Sequence, residues 1–155
     1  PNGEDLNKRL NFIGEYYTIG MWLYIPSTAT SGVILEKRDA FETKGIDLAG
    51  RMIRYPVAKY PYKFSYDALS TEVVFTKSDG LKTVTINAPI TTDAWEYVML
   101  TRYGSTYKLT TTTFGTQTVE DTVSDSLCFN LGNIYIGRNS ENTLPTTFKI
   151  DQLKI

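Results

Sequence analysis

The stretch Tyr17-Thr18-Ile19-Gly20-Met21-Trp22-Leu23-Tyr24-Ile25, closed by Pro26, decides the fold class. Ile19, Met21, Leu23 and Ile25 share one parity and Thr18, Trp22 and Tyr24 the other, so the period is two, that of a β-strand. Because both faces are substantially apolar, the pattern predicts a central framework strand inside a sandwich or beside another covering layer, with Trp22 in the core.

The same period recurs on both sides of this run. Leu10 and Phe12 alternate ahead of Gly14 as a short first strand, and Val33 to Lys37 resumes after the turn residues Ser27 to Gly32. From Tyr62 onward the pattern scarcely stops: 62–66, 72–76, 81–87, 95–102, 107–109, 116–119, 127–129, 134–137 and 148–155 read as short strands between turns rich in Gly, Ser, Asp and Thr. In the 95–102 run, Trp95, Tyr97, Met99 and Thr101 share a face, and Trp95, like Trp22, is expected in the core. The segment from Arg38 to Pro61 is the exception. Gly45, Gly50, Pro56 and Pro61 break it up, and it is expected to be irregular, with one or two helical turns between Asp47 and Tyr55.

Ten or more short strands joined by regular turns predict an all-β, two-sheet antiparallel sandwich. A chain of 155 residues has the length of one domain with one hydrophobic core. Its start at Pro1 and its end at Ile155 inside a strand-like run lead to the expectation of a processed product or of one domain from a longer protein. Lys and Arg number 16 against 17 Asp and Glu, too balanced to draw nucleic acid or an anionic membrane by charge alone. No apolar run approaches the roughly 20 residues of a membrane-spanning helix. The lone Cys128, between Leu127 and Phe129, reads as a small buried residue.

Three stretches taken in order resemble laminin-G-like domains of the concanavalin A-like lectin and glucanase superfamily. Tyr17-Thr18-Ile19-Gly20-Met21-Trp22 is similar to the family's aromatic-Thr-Ile-x-x-Trp strand. Trp95 to Arg102 followed by Tyr107-Lys108-Leu109 is similar to its Trp-x-x-Val segment and the Lys-Leu strand after it. Ile134-Tyr135-Ile136-Gly137-Arg138 with Ile150-Asp151-Gln152-Leu153-Lys154-Ile155 is similar to its closing motifs. The run Thr110 to Gly115 departs from the family's Val-Asn-Gly turn, and Arg38 to Pro61 has no evident family counterpart. The resemblance implies a two-sheet antiparallel jelly-roll β-sandwich with its first and last strands close together. That fold hosts lectins, adhesion modules, virion and phage structural domains and some glycoside hydrolases, so it leaves function open.

The chain contains no histidine, which removes Ser-His-Asp and Cys-His catalysis and most transition-metal sites. A retaining glycosidase needs two carboxylates about 5 Å apart. The Glu-x-Asp-x-x-Glu spacing of this superfamily's hydrolases is absent, so no enzyme is expected. Oxygen ligands for calcium exist in Glu120, Asp121 and Asp125, or in Asp39, Glu42 and Asp47, but neither set matches a metal-loop signature. They are read as solvated acidic loops, and no cofactor is expected.

The aromatic and basic residues around the irregular segment carry the functional expectation. Tyr55, Tyr60 and Tyr62, with Arg51 and Arg54, are the candidate ligand-binding residues, since exposed tyrosines stack on sugar rings and anchor interfaces. The leading expectation is a non-catalytic recognition or adhesion module, glycan-binding, of a larger cell-surface, secreted or virion protein. The rival is a structural module that contacts neighbouring subunits of a phage, virion or filament.

Overall fold

The computed structural model describes residues 15–38, 41–46, 48–56, 59–120, 132–139 and 146–155, with only the backbone course of 41–46 and 52–56. The described residues form twelve strands and no helix. Strands β1 (Tyr16–Tyr24), β8 (Trp95–Tyr103), β9 (Thr106–Thr111), β10 (Gly115–Glu120) and β12 (Lys149–Lys154) make one sheet, in the order β10-β9-β8-β1-β12. Strands β2 (Gly32–Lys37), β5 (Lys59–Asp67), β6 (Glu72–Asp79), β7 (Thr83–Pro89) and β11 (Ile134–Ile136) make the other, in the order β11-β2-β5-β6-β7. Every pairing is antiparallel. The all-β sandwich expected from alternation is the architecture found, and the expected first strand at Leu10 to Gly14 lies outside the described residues.

The core follows from strand parity. From the first sheet, Ile19, Met21, Leu23, Val98, Leu100, Tyr107 and Leu109 point inward; from the second, Ile34, Leu35, Phe64, Phe75 and Ile86 meet them. An aromatic chain crosses the sandwich, with Phe64 against Phe75 at 5.2 Å between ring centroids and Phe75 against Tyr107 of the opposite sheet at 5.8 Å. The Lys77 ammonium, also buried, donates to the Tyr107 hydroxyl at 2.9 Å, and the Arg102 guanidinium lies 5.1 Å from the Tyr107 ring centroid. Both buried cations thus lie against the same aromatic group, and the Arg102 Nε–H also donates to the Gly104 carbonyl at 2.8 Å.

Strand β2 is buried at every position, Glu36 and Lys37 included. The Lys37 ammonium donates to the Gly132 carbonyl at 2.5 Å, and Arg38 sits 3.8 Å from Glu36. With all six positions buried between β11 and β5, this strand has no solvent-facing side for its charges.

The segment from Arg38 to Pro61 differs from the expectation. In place of helical turns it forms a hairpin, β3 (Phe41–Ile46) paired with β4 (Met52–Pro56), and β5 starts at Lys59. Gly50, at φ 78°, makes the turn that a residue with a side chain adopts poorly, and a register shift between Thr43 and Ile46 absorbs Gly45. The glycines that suggested a broken helix are the turn and the bulge of a two-stranded ribbon.

Candidate functional site

Of the expected ligand-binding residues, the described side chains are those of Arg51, Tyr60 and Tyr62. Tyr62 is 0% exposed and belongs to the core between the sheets, where burial pushes its phenol up, with a further contribution from Tyr17. It cannot present a ring to a ligand, and this corrects the expectation. Its position on β5 has the inward parity of Phe64 and Tyr66. Tyr60 is half-buried near the start of β5, with the Lys63 ammonium 5.8 Å from its ring centroid. Burial raises the Tyr60 phenol, Arg38 opposes this and Glu36 adds to it. Arg51 is exposed beside the hairpin turn, and the side chains of Arg54 and Tyr55 lie outside the described residues.

A different surface assembles aromatic groups: the outer face of the β10-β9-β8-β1-β12 sheet. Since Ile19, Met21 and Leu23 of β1 and Val98 and Leu100 of β8 point inward, Trp22, Tyr24, Trp95 and Tyr97 must point outward. Trp22 stands opposite Tyr97 and Tyr24 opposite Trp95, and ring centroids are 5.4 Å and 5.8 Å apart in the two pairs. The result is a two-by-two aromatic block. Trp95 is 47% exposed and Trp22 half-buried, so neither is in the core, contrary to the expectation. No described layer covers this face. A tilted aromatic pair of this kind contributes about 0.5–1.5 kcal/mol beyond area burial, enough to hold the rings in place without closing them off.

Gly20 lies under this block. A Cβ there would collide with the Tyr97 phenol, 2.9 Å from its Cζ, so the glycine lets the ring lie down along the sheet.

Strand β12 forms the third column. Lys149 pairs with Tyr24 and Asp151 with Trp22, and the Lys149 ammonium lies 5.0 Å from the Tyr24 ring centroid. Ideal alternation would send Asp151 outward and Gln152 inward. Instead the register shifts between Gly20 and Trp22, and Gln152 takes φ 50°. Ile150 and Leu153 therefore face the core side while Asp151 and Gln152 are both exposed. A residue other than glycine in this left-handed conformation costs roughly 1–2 kcal/mol. The Gln152 N–H donates to Asp151 Oδ1 at 2.8 Å and ties the carboxylate to the bulge. Trp22, Trp95, Asp151 and Gln152 line a shallow, open cleft of about 340 Å³.

Loops at the head of β8 fix Trp95. Its neighbour Glu96 points the other way and is buried, with Oε1 accepting from the Thr91 N–H at 2.8 Å and Oε2 from the Thr113 N–H at 3.3 Å. Asp93, at φ 58°, accepts from the Ser27 N–H at 3.0 Å and donates its own N–H to the Ile25 carbonyl at 2.8 Å. For Glu96, burial alone would raise the carboxyl, but the hydrogen bonds from Thr91 and Thr113 outweigh it and hold the group below the ordinary 4.5. A depressed carboxyl stabilises the fold above its unfolded value, and that stability drains away as pH falls through the folded value. Glu96→Gln is accordingly expected to lower the melting temperature at pH 7, since one amide oxygen replaces two acceptors, and to lose less than the wild type between pH 5 and pH 3. Thermal unfolding followed by circular dichroism across that range measures both effects.

The acidic groups considered for calcium do not converge among the described residues. Asp39, Asp47, Asp121 and Asp125, and the Glu42 side chain, lie outside them, and no cluster of three metal-ligating side chains occurs within them. Glu120 accepts from the hydroxyls of Ser105 at 2.9 Å and Thr106 at 2.6 Å, which hold its carboxyl low. No described helix is long and apolar enough to cross a membrane.

Sequence comparison adds nothing to these observations: no protein-family model matches the chain, and no curated protein is similar to it. Solved structures do match. A carbohydrate binding module, CBM66, from Bacillus subtilis superposes with a TM-score of 0.51 at 14% identity over 90% of this chain and 74% of its own. Domains LG4-5 of the mouse laminin alpha1 chain superpose with a TM-score of 0.53 at 13% identity over 89% of this chain and 34% of theirs. With both five-stranded sheets antiparallel and the last described strand paired to the first, the chain has the two-sheet antiparallel β-sandwich fold that these two structures share.

Proposed function

We propose that this chain is a non-catalytic glycan-recognition module, and that it binds sugar on the outer face of the β10-β9-β8-β1-β12 sheet around Trp22 and Trp95. The observation that carries the reading is the block of four outward rings beside an acid and an amide on β12. Sugar rings offer apolar C–H faces and polar rims; indole rings complement the first, and Asp and Gln the second. The fold neighbours, one named as a carbohydrate binding module and the other as a laminin domain, support the reading. In this reading the chain is one domain of a larger surface, secreted or virion protein, and its acids serve structure in place of hydrolysis. Glu96, beside the block, is committed to backbone N–H groups and faces the core.

Glycan-array screening of the chain with and without calcium, followed by titration of the best sugar, tests the proposal. Saturable binding is expected, independent of calcium. Failure to bind any sugar would overturn it. The exposed Leu48 at the tip of the β3–β4 hairpin favours a second reading, contact with neighbouring subunits of an assembly. In that case the chain self-associates or binds a partner protein through the hairpin, and Leu48→Ser weakens the contact.

A further inference from the structure

Resting on the glycan reading above, we infer that the ligand is a neutral glycan, and that Asp151 and Gln152, delivered together by the β12 bulge, determine its specificity. A regular edge strand offers the outer face one side chain in two. Here the register shift places two consecutive polar side chains on the rim of the aromatic cleft. The bulge could have been made with glycine at the left-handed position, yet it carries glutamine at φ 50°. Glutamine at this position brings to the rim of the cleft a carboxamide that glycine would lack.

The chemistry of the pair narrows the ligand. A carboxylate accepts from two hydroxyls at once, and a carboxamide both donates and accepts, so together they read adjacent hydroxyl groups on one ring. The indoles of Trp22 and Trp95 stand at diagonal positions of the strand lattice and offer faces to C–H surfaces of the same or the next ring. The cleft is shallow and open, which suits a residue within a chain as readily as a chain end.

Charge decides between neutral and acidic sugars. Asp151 is the charged group among the described residues that line the cleft, and a uronate or sulfate seated there would face it at short range. The ammonium of Lys149, two residues earlier on β12, lies over Tyr24 and outside the cleft lining. A quaternary ammonium is the competing occupant, because tryptophans beside a carboxylate also attract cations. It is disfavoured because such a ligand needs enclosing ring faces, and it makes no use of the Gln152 amide.

The test is calorimetric titration, at low salt, of wild-type chain, Trp95→Ala, Asp151→Asn and Gln152→Gly. The probes are neutral polysaccharides (β-glucan, xylan, mannan, fructan), acidic ones (polygalacturonate, alginate, heparin) and choline. At least one neutral polymer is expected to bind about tenfold or more tightly than every acidic one, and Asp151→Asn to weaken it about tenfold. Gln152→Gly is expected to weaken it severalfold while holding or raising the melting temperature, a combination that a purely structural residue would not give. Sugar binding that is sensitive to Trp95→Ala but tightest for an acidic polymer, or unchanged or improved in Asp151→Asn, overturns this inference and leaves the glycan reading standing. Binding of none of the polysaccharides overturns this inference, and binding of choline alone, with no sugar bound on the array, overturns both.

Discussion

Replacing Trp95 with alanine is expected to lower sugar affinity about 10- to 100-fold, the loss typical of an aromatic anchor at the centre of a recognition surface. The indole is 47% exposed and tilted against Tyr24 at 5.8 Å between centroids, so its removal takes away ligand contact far more than core packing. The fold should register it weakly. Loss of the pair with Tyr24 is worth about 0.5–1.5 kcal/mol, a few degrees in melting temperature. Leu81→Ala, on the exposed turn between β6 and β7 of the opposite sheet, should change neither quantity appreciably. Titration and thermal unfolding of the two variants side by side separate recognition from stability. An equal loss of affinity in both, or none in Trp95→Ala, would place the site elsewhere.

Phe75→Ala is expected to destabilise the fold by about 3–5 kcal/mol, the cost of deleting a large buried ring and leaving a cavity. Phe75 is fully buried and links Phe64 of its own sheet to Tyr107 of the other, so the cavity would open at the sheet–sheet contact. Tyr107 also receives the Lys77 ammonium and lies beside the Arg102 guanidinium. Loosening its ring admits water to two buried cations, which places the expected cost at the upper end of the range. For a domain of this size the melting temperature should fall by about 10–20 °C. Chemical denaturation gives the free energy directly, and a loss below about 1 kcal/mol would mean that the two sheets repack around the gap.

Much of the sandwich was legible in the sequence because burial of one sheet face writes a period of two into each strand. β1, β2, β6, β7, β8 and β12 fall within a few residues of the alternating runs. The hairpin β3–β4 was not legible, because glycine is ambiguous when read along a single chain. At position 50 it makes a turn, at 45 it sits in a bulge, and both look like helix breakers until the partner strand is known. Of the candidate site, the expected cluster at Tyr55, Tyr60 and Tyr62 mixed a core residue, Tyr62, with residues of the hairpin and strand start. Tyr62 shares the parity of Phe64 and Tyr66, and that parity was the available signal that it points inward.

The site around Trp22 and Trp95 shows the same division more sharply. Ile19, Met21, Leu23 and Ile25 are all aliphatic or thioether side chains of one parity, and a continuous apolar face of that kind is the one a sandwich buries. The sequence by itself therefore determined that β1 is a strand, that its aliphatic side is core, and that Trp22 and Tyr24 share the opposite side with each other. Only the tertiary structure decided that no described layer covers that opposite side, that β8 brings Trp95 and Tyr97 beside it, and that a bulge in β12 turns both Asp151 and Gln152 towards it. The reason is physical: alternation along one strand is a local consequence of backbone geometry, whereas strand neighbours, register and bulges arise from pairing between segments far apart in the chain.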